Sequence, residues 1–327
     1  EIDPPRGKVR SDYRNSGWPY FEACLASLLK APEDVLDLTL EKREDLFGGK
    51  YGRDFGRMAA DMCSRAQLPI SPLTFEQEAR EEKKFTFPED LEEIIVPKYN
   101  ETFEAVIANA PRLKLPHSKL EERMLWNFAR EVLLTGLCRE LRVLSVAGHE
   151  NKMYPEVWGE YLSKGTPLLE ELYLGRNRLL RGDIKGFQAL SRLKLRVFSL
   201  RKTRVHGDLT GLLGLLKHLR ELDFFETQVQ GDVATLSGCT DLESLRINRT
   251  KVAGDFEGLS TLVKLKELDL HESHVGGELG ALSGLTNLGV LWLKENNCRG
   301  DIADLSNLTN LVSRKRKCAQ KLYPEPP

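Results

Sequence analysis

A Gly-Asp dipeptide returns at nearly fixed intervals through the second half of this 327-residue chain. It stands at 182–183, 207–208, 231–232, 254–255 and 300–301, with Gly277-Glu278 filling one further place, at spacings of 25, 24, 23, 23 and 23 residues. Upstream of each copy runs the pattern L-x-x-L-x-L-x-x-N/T/S. It reads Leu169, Leu172, Leu174, Asn177; Leu195, Phe198, Leu200, Thr203; Leu219, Leu222, Phe224, Thr227; Leu242, Leu245, Ile247, Thr250; Leu265, Leu268, Leu270, Ser273; and Leu288, Leu291, Leu293, Asn296. An earlier, looser copy is Leu141, Leu144, Val146, His149. A unit this short cannot bury its own apolar face, so neighbouring units must stack into a solenoid.

The residue types fit that geometry. In each L-x-L the two apolar residues point to one face of a short strand and the middle residue to the other. The Asn, Thr or Ser that follows can hydrogen-bond backbone left open where the chain turns. The glycine permits a turn with φ > 0, and the Asp beside it can bond locally. Apolar residues then recur at three-residue steps, as in Ile302, Leu305, Leu308 and Leu311, and fill the interior from the outer side. Ten of the fifteen prolines lie before residue 118 and none between Leu168 and Tyr323, as a continuous parallel sheet requires.

Over about 170 residues this template resembles the leucine-rich-repeat family. The segment Asn296-x-Cys298-x-Gly300-x-Ile302 and its sisters T-x-V-x-G-D-L are similar to the plant-type subclass. The chain departs from that subclass in having Ala or Thr where Pro usually follows the Ile, and in lacking a cysteine-paired cap. Both departures weigh against an extracellular receptor. The resemblance implies an α/β fold: a leucine-rich-repeat solenoid with a curved parallel sheet of about seven strands. A helical cap and a mostly helical or irregular N-terminal extension precede it.

Four regions follow. Residues 1–117 hold short apolar clusters (20–29, 55–62, 91–96) between prolines and charges, which reads as short helices and extended connectors, with an acidic helix around 75–84. Residues 118–140 contain an amphipathic capping helix. Its apolar positions are Leu120, Met124, Leu125, Phe128, Val132, Leu133 and Leu137, opened by the capping box Ser118-x-x-Glu121. Residues 141–311 are the solenoid, whose longer first repeat predicts a helix over 155–165. Residues 312–327 are a basic, Pro-rich tail with Arg314, Lys315, Arg316 and Lys317. That run is either a solvated tail or a contact with something acidic.

Composition narrows the function. With 30% charged residues but a net charge of only −1, the chain is not built to grip nucleic acid over its whole surface. Its longest nearly uncharged runs are too short to span a bilayer. The six cysteines form no C-x-x-C pair, and Cys239 and Cys298 fall where sister repeats place Leu or Val. They read as reduced, buried thiols in a reducing compartment, cytoplasmic or organellar, and a removed targeting peptide is compatible with the start at Glu1. Three N-x-S/T triplets (Asn100, Asn248, Asn307) are discounted, two of them being products of the repeat itself. No nucleophile elbow or dinucleotide fingerprint is present, and Gly48-Gly49-Lys50 lacks the rest of a phosphate loop. His271 and His274 are not spaced to share a strand face. No catalytic residue, cofactor or metal is expected.

The informative surface is the variable face of the strands. One column reads Ser145, Tyr173, Ser199, Asp223, Arg246, Asp269, Trp292; the next reads Ala147, Gly175, Arg201, Phe225, Asn248, His271, Lys294. Strands about 4.8 Å apart make Asp223, Arg246 and Asp269 lateral neighbours. Two readings stand: a self-satisfied ladder, or a binding groove anchored by Tyr173, Phe225 and Trp292 with Arg201, Asp223, Arg246, Asp269, His271 and Lys294 around them. Seven strands span about 30 Å, enough for an ordinary protein interface. Trp292 is expected either under the C-terminal tail or under a partner. The expected function is a non-enzymatic protein–protein interaction scaffold. It would be an accessory subunit of a larger assembly, for which an organelle is one expected setting, using the repeat surface and the N-terminal arm. A regulatory or recognition module, such as a substrate adaptor or immune-type sensor, is the alternative. Partners are other proteins, with no nucleic acid and no transmembrane segment; peripheral association with a membrane complex is compatible.

Overall fold

Each L-x-L segment carries a three-residue strand centred on its first Leu or Phe, which is fully inside in every strand but the last, where Leu291 is half-buried. Seven such strands lie side by side: Val143–Ser145, Glu171–Tyr173, Val197–Ser199, Glu221–Asp223, Ser244–Arg246, Glu267–Asp269 and Val290–Trp292. All pair in parallel with equivalent residues in register, for example Asp223 with Arg246 and Asp269 with Trp292. The computed structural model describes residues 16–29, 70–85, 87–115, 122–148 and 152–312. The chain divides into two compact units, Glu1–Leu141 and Arg142–Pro327.

In the second unit the T-x-V-x-G-D segments make another parallel sheet. Its six strands are Arg181–Asp183, Arg204–Asp208, Gln228–Asp232, Lys251–Asp255, His274–Glu278 and Cys298–Arg299. Parallel crossovers of this kind need a connecting segment, which 3-10 turns, one long helix and the short helix Leu213–Leu216 supply. The Gly of each Gly-Asp has positive φ, +119° at Gly254, as the spacing anticipated. The Asp then caps the following 3-10 turn: Asp232 accepts from the Ala234 N–H at 2.8 Å and Asp255 from the Glu257 N–H at 3.0 Å. Glu278, one methylene longer, makes no such bond. The expected helix in the long first repeat is Pro155–Gly165, with Trp158 and Leu162 wholly buried.

The polar column of the template lies inside. Asn177 is completely buried, its amide donating to the carbonyls of Val146 (2.6 Å) and Leu174 (2.8 Å). Thr203, Thr227 and Thr250 each donate to a carbonyl three residues back. The hydroxyls thereby satisfy backbone that the turning chain leaves without a strand partner, which burial alone would make costly. Between these rungs Phe187, Phe198 and Phe224 pack edge to face, with centroids 5.2 and 5.8 Å apart.

The first unit is helical where described: Gly17–Leu29, Pro72–Glu82, a run from Pro88 to Ala108 widened twice by π-type turns, a strand at Arg112–Lys114, and Glu122–Phe128 continued by a π-type turn to Leu133. Tyr99 stacks on Phe75 at 3.9 Å and Phe75 on Tyr20 at 5.6 Å, forming a small aromatic core. Glu131 accepts from the Thr74 hydroxyl at 2.5 Å and from Ser71, the residue capping Pro72–Glu82. Burial acts to raise the Glu131 pKa, but these bonds and Arg130 outweigh it and hold the carboxyl below its usual range. The helix expected to reach Leu137 stops at Leu133, because Gly136 turns left-handed at φ +76° and leaves Leu137 exposed. The Ser118–Glu121 capping box, the 55–62 cluster and the Arg314–Lys317 run lie outside the described residues.

Candidate functional site

One row on the rim of the strands has no signature in residue type. Arg176, Lys202, Glu226, Arg249, Glu272 and Glu295 all take left-handed backbone, φ +54° to +62°, without being glycine. Such a residue costs roughly 1–2 kcal/mol. The cost is met because the N–H groups of the first five still find a carbonyl on the next strand: Lys202 donates to the Phe225 carbonyl at 2.7 Å and Glu272 to that of Lys294 at 2.9 Å. The turn swings these charged side chains into line, so that Lys202 pairs with Glu226 (3.6 Å) and Arg249 with Glu272 (2.9 Å).

Register brings Tyr173, Ser199, Asp223, Arg246, Asp269 and Trp292 into one lateral column, as the sequence implied. The bonding within it differs from simple neighbour pairing. Arg246 turns to Glu267, donating at 2.9 and 2.5 Å, and not to either flanking aspartate. A carboxylate one pair of residues along the strand matches the reach and fork of a guanidinium better than one directly opposite. Asp223 accepts from the Phe225 N–H at 3.1 Å and lies 3.9 Å from the Arg201 guanidinium. Burial raises its pKa despite that bond and the nearby arginines.

Two clusters stand on this face. At Phe225, the guanidinium of Arg201, the ammonium of Lys202 and the guanidinium of Arg249 lie 5.5, 5.3 and 6.0 Å from the ring centroid. An aromatic face among cations holds them by its quadrupole and leaves a half-exposed ring framed by positive charge. At His271, the ring's Nδ1 is 2.5 Å from Asp269 and its Nε2 3.1 Å from the Asn248 amide nitrogen, so the proton points to the carboxylate. Trp292 stands 6.5 Å away from this imidazole, tilted and half-buried. Tyr173 donates to Glu171 at 3.0 Å, two strands from Asp223, and joins neither cluster. Lys294 pairs with Glu295 at 2.9 Å. The sequence named most of these positions but missed Glu267, and it placed Asn248 on the surface although that side chain is buried.

Cys24, Cys138 and Cys239 are buried, and burial pushes the thiol of Cys138 up to about 12 and that of Cys239 up to about 11. Cys298, expected inside, is only half-buried. It lies on the last strand of its sheet, and among the described residues no further repeat covers it; Ile302 is exposed for the same reason. Cys63 and Cys318 lie outside the described residues. Among the described residues no group of three or more His, Cys, Asp or Glu is placed to hold a metal, and no helix is long and apolar enough to cross a membrane.

Stacked strands, inward leucines and the buried Asn/Thr column define a leucine-rich-repeat solenoid of the α/β class. No protein-family model matches the chain, and no curated protein matches it in sequence. Solved structures similar to it include the ectodomain of the Arabidopsis thaliana membrane receptor kinase GASSHO1/SCHENGEN3 in complex with CASPARIAN STRIP INTEGRITY FACTOR 2. That likeness is 23% identity over 64% of this chain and 24% of the ectodomain, with a TM-score of 0.49. A plant ice-binding protein is 21% identical over 62% of this chain and 61% of its own, at 0.46. Internalin C2 of Listeria monocytogenes is 23% identical over 64% and 81%, at 0.48. The chain thus spans about a quarter of the receptor ectodomain and under two thirds of the ice-binding protein. None of these likenesses carries a ligand over to this chain.

Proposed function

We propose that this chain is a non-enzymatic protein–protein interaction scaffold, an accessory subunit of a larger intracellular assembly, that docks its partner on the variable face of the strands. The observation that carries the reading is the Phe225 cluster: a half-exposed ring framed by Arg201, Lys202 and Arg249 on a sheet whose every rung is hydrogen-bonded. Aromatic residues and arginine are the types that concentrate interface energy, and holding them on rigid backbone lowers the ordering cost of binding. Trp292 extends the same face three strands further, and the strand-borne area suits a standard interface. Thiols outside any disulfide at Cys138, Cys239 and Cys298 support a reducing compartment.

The test is native purification of the full chain, wild type and Phe225→Ala/Trp292→Ala, with mass spectrometry of what co-elutes and a thermal melt of each. The variant should melt with the wild type and lose the co-purifying protein. A wild-type chain that purifies alone, or a variant that keeps its partner, defeats the reading.

A further inference from the structure

The charges of the solenoid are unevenly placed. Residues 184–220 carry nine Lys or Arg and one Asp, whereas residues 221–312 carry fifteen Asp or Glu and seven Lys or Arg. The basic stretch matters most at the start of the strands, where one position per repeat forms a row: Arg142, Glu170, Arg196, Arg220, Glu243, Lys266. Glu170 bridges Arg142 (2.6 Å) and Arg196 (3.2 Å). Glu243 bridges Arg220 (3.7 Å) and Lys266 (2.5 Å). The row is therefore two triplets, each with one carboxylate between two cations. Where the triplets meet, Arg196 and Arg220 occupy adjoining rungs, the Arg220 N–H donating to the Arg196 carbonyl at 2.7 Å. The row itself places no carboxylate between them. Lys194, Lys217 and His218 are exposed at the same junction, and each lies within three residues of one of the arginines.

We infer that this junction is a docking site for an acidic segment of a partner protein, a Glu/Asp-rich stretch that inserts a carboxylate between Arg196 and Arg220. The chain itself shows the chemistry twice, since Glu170 and Glu243 each bridge the cations on the rungs to either side. A carboxylate from outside completes a third bridge, and Lys194 and Lys217 take its neighbours. Charge-assisted hydrogen bonds to guanidinium groups favour a carboxylate in this position. The footprint selects a short acidic segment over a long polyanion. The junction is two strands wide, about 10 Å, and is closed on one side by Glu170 and on the other by Asp241 and Glu243. A nucleic-acid backbone running on in either direction meets those carboxylates.

The inference rests on the protein-interaction reading but uses a different surface from Phe225 and Trp292, so the two fail separately. The experiment is fluorescence anisotropy of a labelled deca-glutamate peptide with the full chain at low ionic strength. Deca-glutamine and a single-stranded oligothymidylate serve as the other probes. Wild-type protein should bind deca-glutamate, not deca-glutamine, and release it in about 0.5 M salt, where exposed charges are screened within a few ångströms. Arg196→Gln/Arg220→Gln should weaken binding at least tenfold with little change in melting temperature. Lys264→Gln/Lys266→Gln, an equal charge loss two repeats away, should change it less than twofold. If the arginine variant fails to fold, Lys194→Gln/Lys217→Gln, which breaks no ion pair among the described residues, should weaken binding at least threefold. Absence of deca-glutamate binding, equal losses in the two double variants, or tighter capture of oligothymidylate at this junction overturns the assignment.

Discussion

Gly254→Ala tests the turn on which every repeat depends. Gly254 sits at φ +119°, well beyond the narrow left-handed region that L residues visit. A Cβ built there lies 2.5 Å from Asp232 Oδ1 and 3.2 Å from a Val233 methyl. Strained backbone of this kind costs about 1–3 kcal/mol. Displacing Asp232 also disturbs the cap it makes with the Ala234 N–H at 2.8 Å, a bond of a type worth about 1 kcal/mol. Restricting the unfolded chain returns about 0.4–1 kcal/mol. The balance is a loss of about 2 kcal/mol, or about 4–8 °C in melting temperature for a domain of this size. The assay is thermal unfolding followed by circular dichroism, with Gly238→Ala beside it. Gly238 has no atom within 4 Å of a built Cβ and its φ is not positive, so that variant should melt with the wild type or slightly above. Gly254→Ala melting within about 1 °C of wild type, or Gly238→Ala falling as far as Gly254→Ala, refutes the argument.

Two further outcomes follow from the buried titratable groups. Folding raises the Asp223 pKa above its unfolded value, so the ionised carboxylate is the form the fold disfavours. Its penalty is full above the folded pKa and disappears as pH falls through that value toward the unfolded one. The melting difference between Asp223→Asn and wild type should therefore be more positive at pH 7 than at pH 4; a difference that grows on acidification contradicts the raised pKa. Cys298, half-buried on the end strand, should react with a thiol reagent in the native state well before Cys239, whose burial pushes its pKa up to about 11. Equal protection of both, read by mass spectrometry of the labelled peptides, would mean that the last repeat is covered.

Much of the solenoid could be read from residue order alone, because its determinants are local and repeated. Leu222, Leu245 and Leu268 fall on one strand face by the two-residue period. Gly254 and Asp232 specify turn and cap through backbone they touch directly. The helix at 155–165 announced itself by a longer spacing. Errors arose where the template meets an end or a break. Cys298 occupies an inward position, yet a residue is buried only if the next repeat covers it, and periodicity carries no such information. The helix toward Leu137 ended early because Gly136 offered a left-handed stop that the apolar spacing overlooked.

The candidate site depended on tertiary structure for its chemistry. Sequence supplied the columns, and a common register made Asp223, Arg246 and Asp269 neighbours. It did not supply the partners. Arg246 chose Glu267 because long, flexible side chains select among several carboxylates by angle and desolvation, which have no period. Phe225 gathers three cations from the two adjoining strands, and the left-handed turns at Lys202 and Arg249 aim two of them at the ring. Those turns occur at residues whose intrinsic preferences argue against them; stacking fixes the backbone, and the side chains follow. Sequence thus determined the repeat and the inward half of each strand, where one residue type answers one local need. Only the assembled solenoid decided which outward charges meet, and where, at Arg196 and Arg220, two like charges were left side by side.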